Sequence, residues 1–109
     1  MANTFKLKTK ANVGVSTVGI YTAPASTTTV VIGITMANTS GSGVNVGVGI
    51  TRAGTTEDVK LLKNAPIPQG SSLEFMAGNK VVLEETDTVT VDSATNNSVD
   101  AALTIMEIT

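Results

Sequence analysis

The sequence predicts an all-β protein, a single antiparallel β-sandwich of about eight or nine strands, jelly-roll-like or immunoglobulin-like. Three observations lead there. Apolar residues alternate with small or polar ones along several short runs, and side chains on a strand point to opposite faces with a period of two. Turn residues recur at short spacing between the runs. No stretch carries helical periodicity, and parallel pairing would need long crossovers for which there is no room.

The central alternation spans Thr27–Arg52. Val30, Ile32, Ile34 and Met36 form one aliphatic row, and Val44, Val46, Val48 and Ile50 form another. The join Asn38–Gly43 is made of turn residues, with Gly41 and Gly43 free to take positive φ. These features predict a hairpin of two long strands with those two rows in the core.

The remaining elements follow in order. Thr4–Ala11 alternates, with Phe5, Leu7, Thr9 and Ala11 on one face and Lys6, Lys8 and Lys10 on the other. Lysine along a strand reads first as an edge kept soluble and unpaired, and second as a basic stripe for docking on an acidic neighbour. From Asn12 to Ala23 the alternation changes phase near Ser16-Thr17, which calls for a bend or bulge, and Pro24 ends the strand. Tyr21, the single tyrosine, is expected to pack with its hydroxyl hydrogen-bonded at the rim. Ala53–Glu57 is a turn, Asp58–Lys63 a strand, and Asn64–Gly70 an irregular connection carrying two prolines. Ser71–Met76 is a short strand with Leu73 and Phe75 inward, Ala77–Asn79 a turn, and Lys80–Leu83 a further short strand. Glu84–Asp87 turns, Thr88–Asp92 alternates cleanly, and Ser93–Ser98 is a polar loop. Val99–Thr109 is the last strand, with Val99, Ala101, Leu103 and Ile105 on one face and Met106 and Ile108 on the opposite parity. Either a bulge reverses the strand near Ile105, or both faces are covered, which would put the strand at a subunit contact.

Composition narrows the chemistry. The chain has 109 residues, read as one domain over 1–109. No hydrophobic leader follows Met1, so no secretory signal is expected, and no apolar run is long enough for a membrane-spanning helix. Histidine, cysteine and tryptophan are absent, which excludes disulfides, zinc sites built on thiolate or imidazole, and histidine-based triads. A net charge of −2 with 3% aromatics argues against nucleic-acid binding. Large side chains are few, so the core is thin, and oligomerisation or docking would help stabilise it.

Candidate chemical sites fail in turn. Glu84, Glu85 and Asp87 lack the ligand spacing of a calcium loop and read as a solvated turn. Glu57 and Asp58 are adjacent and face opposite ways on a strand. Gly41-Ser42-Gly43 lacks the following helix of a phosphate loop. Asn38-Thr39-Ser40 and Asn96-Asn97-Ser98 fit the glycosylation pattern, which has meaning for a secreted chain. No catalytic, cofactor-binding or metal-binding residue is assigned. The candidate interface consists of Phe5, Lys6, Lys8, Lys10, Met106 and Ile108, with Arg52 as a further cation to follow.

Four segments carry a resemblance: Tyr21-Thr-Ala-Pro-Ala-Ser-Thr-Thr-Thr-Val-Val-Ile-Gly, Ala37-Asn-Thr-Ser-Gly, Ala65-Pro-Ile-Pro-Gln-Gly-Ser-Ser-Leu-Glu and Leu83-Glu-Glu-Thr-Asp-Thr-Val-Thr-Val. They resemble small virion structural proteins of tailed bacteriophages, especially those infecting cyanobacteria. The resemblance covers most of the chain from Tyr21 onward and rests on strand and turn residues. It implies a non-enzymatic β-sandwich bound to the particle, often as a homotrimer or around a symmetry axis, and it transfers no site residue. Three functions are weighed: a capsid decoration or cement protein whose partner is the major capsid protein, a neck, tail or fibre component of the virion, and a free carbohydrate- or ligand-binding module. The scarcity of aromatic rings ranks the module last, and an enzyme ranks below it. No cofactor, nucleic-acid or membrane partner is expected.

Overall fold

The computed structural model describes residues 3–52, 57–75 and 80–109. They form nine strands: β1 (Asn3–Val13), β2 (Val18–Thr22), β3 (Thr28–Asn38), β4 (Val44–Arg52), β5 (Glu57–Ile67), β6 (Ser72–Phe75), β7 (Val81–Leu83), β8 (Thr88–Ser93) and β9 (Val99–Ile108). One sheet has the order β1-β9-β3-β6, with β7 also pairing β3, and the other has the order β2-β8-β4-β5. Every pairing is antiparallel. The predicted sandwich is therefore the observed architecture. Of the turn expected at Ala53–Glu57, residues 53–56 lie outside the described residues and Glu57 opens β5, and the turn expected at Ala77–Asn79 also lies outside them.

The core is the aliphatic layer between the sheets. Val13, Val31, Ile34, Met36, Leu83, Val99, Leu103 and Ile105 enter it from the first sheet, and Val44, Val46, Val48, Ile50, Ile67, Val89 and Val91 from the second. Sheet-on-sheet packing of this kind removes apolar area from water on one face of each strand.

The expected hairpin of β3 and β4 is corrected. The two strands lie in different sheets, and residues 39–43 cross the sandwich between them. The crossing is built around buried Asn38, whose amide donates to the carbonyls of Ser42 (2.8 Å) and Ile67 (3.0 Å). Its carbonyl oxygen accepts from the Ser40 amide and hydroxyl. With its amide committed to two carbonyls, Asn38 is no exposed glycosylation acceptor. Positive φ is not what the loop glycines supply, since Gly70 is the glycine that takes it among the described residues.

A second correction concerns the face of β3. Its register with β9 skips a residue between Val31 and Gly33. Because one inserted residue exchanges the faces, Thr29 and Val31 point into the core before the bulge, and Ile34, Met36 and Asn38 after it. Val30 thus lies on the outer face. Strand β5 also runs further than expected, through Asn64–Ile67. It is the edge of its sheet, so the missing amide of Pro66 costs no ladder bond, and Asn64 at φ 54° sits where the register with β4 shifts.

Candidate interaction face

Strand β9 alternates without interruption: Val99, Ala101, Leu103, Ile105 and Glu107 are buried, while Asp100, Ala102, Thr104, Met106 and Ile108 take the other side. The bulge opposite Ile105 belongs to β3, and β9 itself keeps its alternation there. Met106 and Ile108 therefore stand on the outer face of the five-stranded sheet.

Register assembles that face. Phe5 lies opposite Met106, Met106 opposite Val30, and Val30 opposite Val82, so one apolar row crosses four strands. Directly paired residues in an antiparallel sheet share a face and touch. Leu7 pairs with Thr104, and Ile108 with Thr28. Phe5 is 69% exposed, Leu7 63% and Val82 57%. Further along the same strands the side chains become small: Thr9, Ala102 and Thr35 form a row, and Ala37 faces Asp100. A shallow hollow of about 340 Å³ opens there, lined by Thr9, Lys10, Ala11, Thr35, Ala37, Asp100, Ala101 and Ala102. The face thus has a bulky apolar end and a hollow small-residue end.

The sequence-derived interface set is split by this geometry. Phe5, Met106 and Ile108 share the outer face. Lys6, Lys8 and Lys10 pair with Ile105, Leu103 and Ala101 and so project to the core side of edge strand β1. Lys6 there forms an ion pair with Glu107, Nζ to Oε1 2.9 Å. The lysines do not form one contact surface with Phe5, Met106 and Ile108.

Glu107 belongs to a cluster that the sequence reading did not assemble. The Tyr21 hydroxyl donates to its Oε2 (2.6 Å) and lies 2.8 Å from the Thr29 hydroxyl. Glu107, Tyr21 and Thr29 are all buried. The Tyr21 bond and then the Lys6 ammonium hold the Glu107 carboxyl below the usual carboxylate range, against the cost of burial. Burial and then the bond to Glu107 push the Tyr21 phenol up to about 12. Tyr21 thus packs with its hydroxyl bonded, as expected, and the bond joins the two sheets. The available signal was a glutamate sharing the parity of Leu103 and Ile105.

The Glu84–Asp87 turn exposes Glu84, Glu85 and Thr86 to solvent as expected, and Asp87 anchors it. Asp87 is buried, and its carboxylate accepts from Arg52 Nε (3.0 Å) and the Glu84 amide (3.0 Å). Arg52 also pairs with Glu84, and Glu85 accepts from the Ser26 amide. Among the described residues no group of three or more acidic side chains is placed to hold a metal ion.

No family model matches this sequence, and no curated protein matches it. Solved structures do match in fold. A chain of Bacillus endospore appendages, described as disulfide-linked pili, superposes with TM-score 0.57 at 16% identity, over 99% of this chain and 87% of that one. A chain of the T13 particle of infectious bursal disease virus gives TM-score 0.59 at 13% identity, over 96% of this chain. This chain spans 30% of that viral one. A chain of the cyanophage Pam1 capsid asymmetric unit gives TM-score 0.55 at 18% identity, over 95% of this chain and 85% of that one. The neighbours are structural proteins of capsids and pili.

Proposed function

We propose that this chain is a non-enzymatic structural protein of a virion, and that it decorates and cements the capsid shell of a tailed phage. The observation that carries the reading is the outer face of the five-stranded sheet. An apolar row across four strands, left in water, is the mark of a surface that contacts another protein. The buried carboxylate lends no competing chemistry, because both Glu107 oxygens are engaged by neighbouring side chains. The fold shared with a cyanophage capsid chain is consistent with the resemblance in the Tyr21–Val91 segments. A linkage like that of the disulfide-linked pili has no counterpart here, since the sequence has no cysteine. In this reading the partner is the major capsid protein, the site of action is the capsid surface, and copies gather around a symmetry axis, with a trimer favoured by the resemblance.

The test is the copy number of the chain in purified particles, by quantitative mass spectrometry against the major shell protein. One copy per shell subunit, or a small-integer ratio, supports the cement role, since shell positions are set by symmetry. A ratio of a few percent moves the chain to the neck or tail, and absence from particles overturns the virion reading.

A further inference from the structure

We infer that residues Asn3–Ala11 of β1 form an exchangeable arm, and that the arm of one copy of this chain pairs with β9 of a second copy in place of that copy's own.

The arm is fastened along one edge. None of Asn3–Asn12 is buried, and the core begins at Val13, which is fully buried. The ladder to β9 runs from Asn3 to Lys10, breaks, and resumes with Val13 opposite Val99. Besides that ladder, Lys6 reaches Glu107. The core is therefore complete without an arm side chain, and a segment held in this way opens at low cost. Val13 by contrast is held firmly. Its carbonyl accepts from the Ser98 amide (3.2 Å), and the Gly14 carbonyl accepts from the Ser93 amide (2.9 Å).

The break has the form of a hinge. Two residues, Ala11 and Asn12, stand there against one, Asp100. Asn12 takes φ 58°, in the left-handed region, and its amide donates to the Asp100 carboxylate (3.0 Å) rather than to the ladder. Turning Asn12 to extended backbone removes the left-handed conformation and sends the arm past the Val99 end of its own sheet. From Lys10 to Val13 the extended chain spans about 10 Å. A copy that meets the first at these ends receives the arm on its β9 with Lys10 at Ala101 and Asn3 at Ile108, the register of the single chain. The exchange is mutual about a two-fold axis beside Asn12 and closes at two copies.

Charge selects the occupant. The chain has seven cations and nine acids. The arm holds three of the cations, Lys6, Lys8 and Lys10, and no acid, which leaves four cations against nine acids on the rest. Strand β9 carries Asp100 and Glu107 and no cation. A basic arm is thus drawn to the acidic β9 of any copy, whereas two arms repel one another and do not pair edge to edge. Every contact of the closed chain is remade in the exchanged pair. The hinge and the entropy of association alone separate the two forms, so exchange rises with concentration.

The inference does not depend on the virion reading and is tested on the full purified chain, which has no native cysteine. One preparation carries Phe5→Cys and a heavy-isotope label, and the other carries Met106→Cys. These positions face each other across β1 and β9. After mixing at about 100 µM, where a micromolar dimer would be nearly complete, oxidation should join labelled chains to unlabelled ones. Thr9 pairs with Ala102, about 13 Å along the strand from Met106, so Thr9→Cys should not join Met106→Cys. Phe5→Cys and Met106→Cys in one chain, oxidised in dilute solution, fasten the arm to its own β9 and should abolish the dimer of twice the 11.1 kDa chain mass. Proline cannot take positive φ, so Asn12→Pro should raise the association constant at least about fivefold. Asn12→Gly, at ease with positive φ, should lower it. Each variant is first matched to the parent by far-ultraviolet dichroism. A monomer at this concentration in both the parent and Asn12→Pro forms overturns the inference. So does a dimer that survives the intrachain lock, or equal joining of Thr9→Cys and Phe5→Cys to Met106→Cys.

Discussion

The Tyr21 hydroxyl donates a 2.6 Å hydrogen bond to Glu107, tying β2 in one sheet to β9 in the other. With the phenolic proton committed to the carboxylate, the Thr29 hydroxyl donates to the phenolic oxygen. Each polar atom compensates another that burial has stripped of water. Tyr21→Phe keeps the ring and removes the link, leaving a carboxylate oxygen and a fully buried threonine hydroxyl short of a partner. We expect a loss of about 1–3 kcal/mol in urea unfolding, with the strand signature of the dichroism spectrum retained.

The same pair sets two pH limits. The folded Tyr21 phenol is raised from 10 to about 12. A group raised on folding contributes stability that is complete below its unfolded value and is lost as pH climbs through its folded one. Stability should therefore decline between pH 10 and 12, and Tyr21→Phe should remove that decline. Glu107 is shifted the other way, below its ordinary 4.5. Its contribution is present above 4.5 and is lost as pH falls through the lower folded value. Glu107→Gln should flatten that part of the acid limb. The sequence holds one tyrosine and no tryptophan, so absorbance of the phenolate reports Tyr21 alone. A native midpoint near 10 instead of near 12 would contradict the buried bond.

How legible this was depended on the range of the interactions. Alternation is local, so the all-β class and the sandwich could be read from strand periodicity, whereas the side taken by Met106 and Ile108 stayed open between a bulge and a strand covered on both faces. Partner choice is not local. Nothing in Val30–Ile50 states that β3 pairs β9 while β4 pairs β8. The bulge at Ile32 was hidden because valine and isoleucine occupy both parities there, so either phase looked apolar. Pro66 suggested an irregular connection because its tolerance on an edge depends on β5 being the edge. The lysine parity was read correctly, but its direction required knowing which side of β1 the second sheet occupies.

Two glycines test how closely the strands approach. A Cβ at Gly49 would lie 2.9 Å from the Val59 carbonyl oxygen and 3.2 Å from the Thr90 hydroxyl. The first obstacle is backbone and cannot swing away. Gly49→Ala should destabilise by about 1–3 kcal/mol, the usual scale of overpacking. At Gly41 no atom lies within 4 Å of the same position. Gly41→Ala should be neutral or stabilising by up to about 1 kcal/mol, because alanine narrows the unfolded ensemble. Parallel urea curves of the two variants check the contrast.

Two leucines separate the core from the outer face. Leu103 is 0% exposed at the centre of the core, whereas Leu7 is 63% exposed on the outer face. Leu103→Ala should cost about 2–5 kcal/mol, transfer and cavity terms together, at any protein concentration. Leu7→Ala removes a side chain already in water, so in dilute solution its effect should stay within about 0.5 kcal/mol. Urea unfolding of the two variants checks the difference, and a Leu7→Ala loss as large as that of Leu103→Ala would contradict the exposed placement of Leu7.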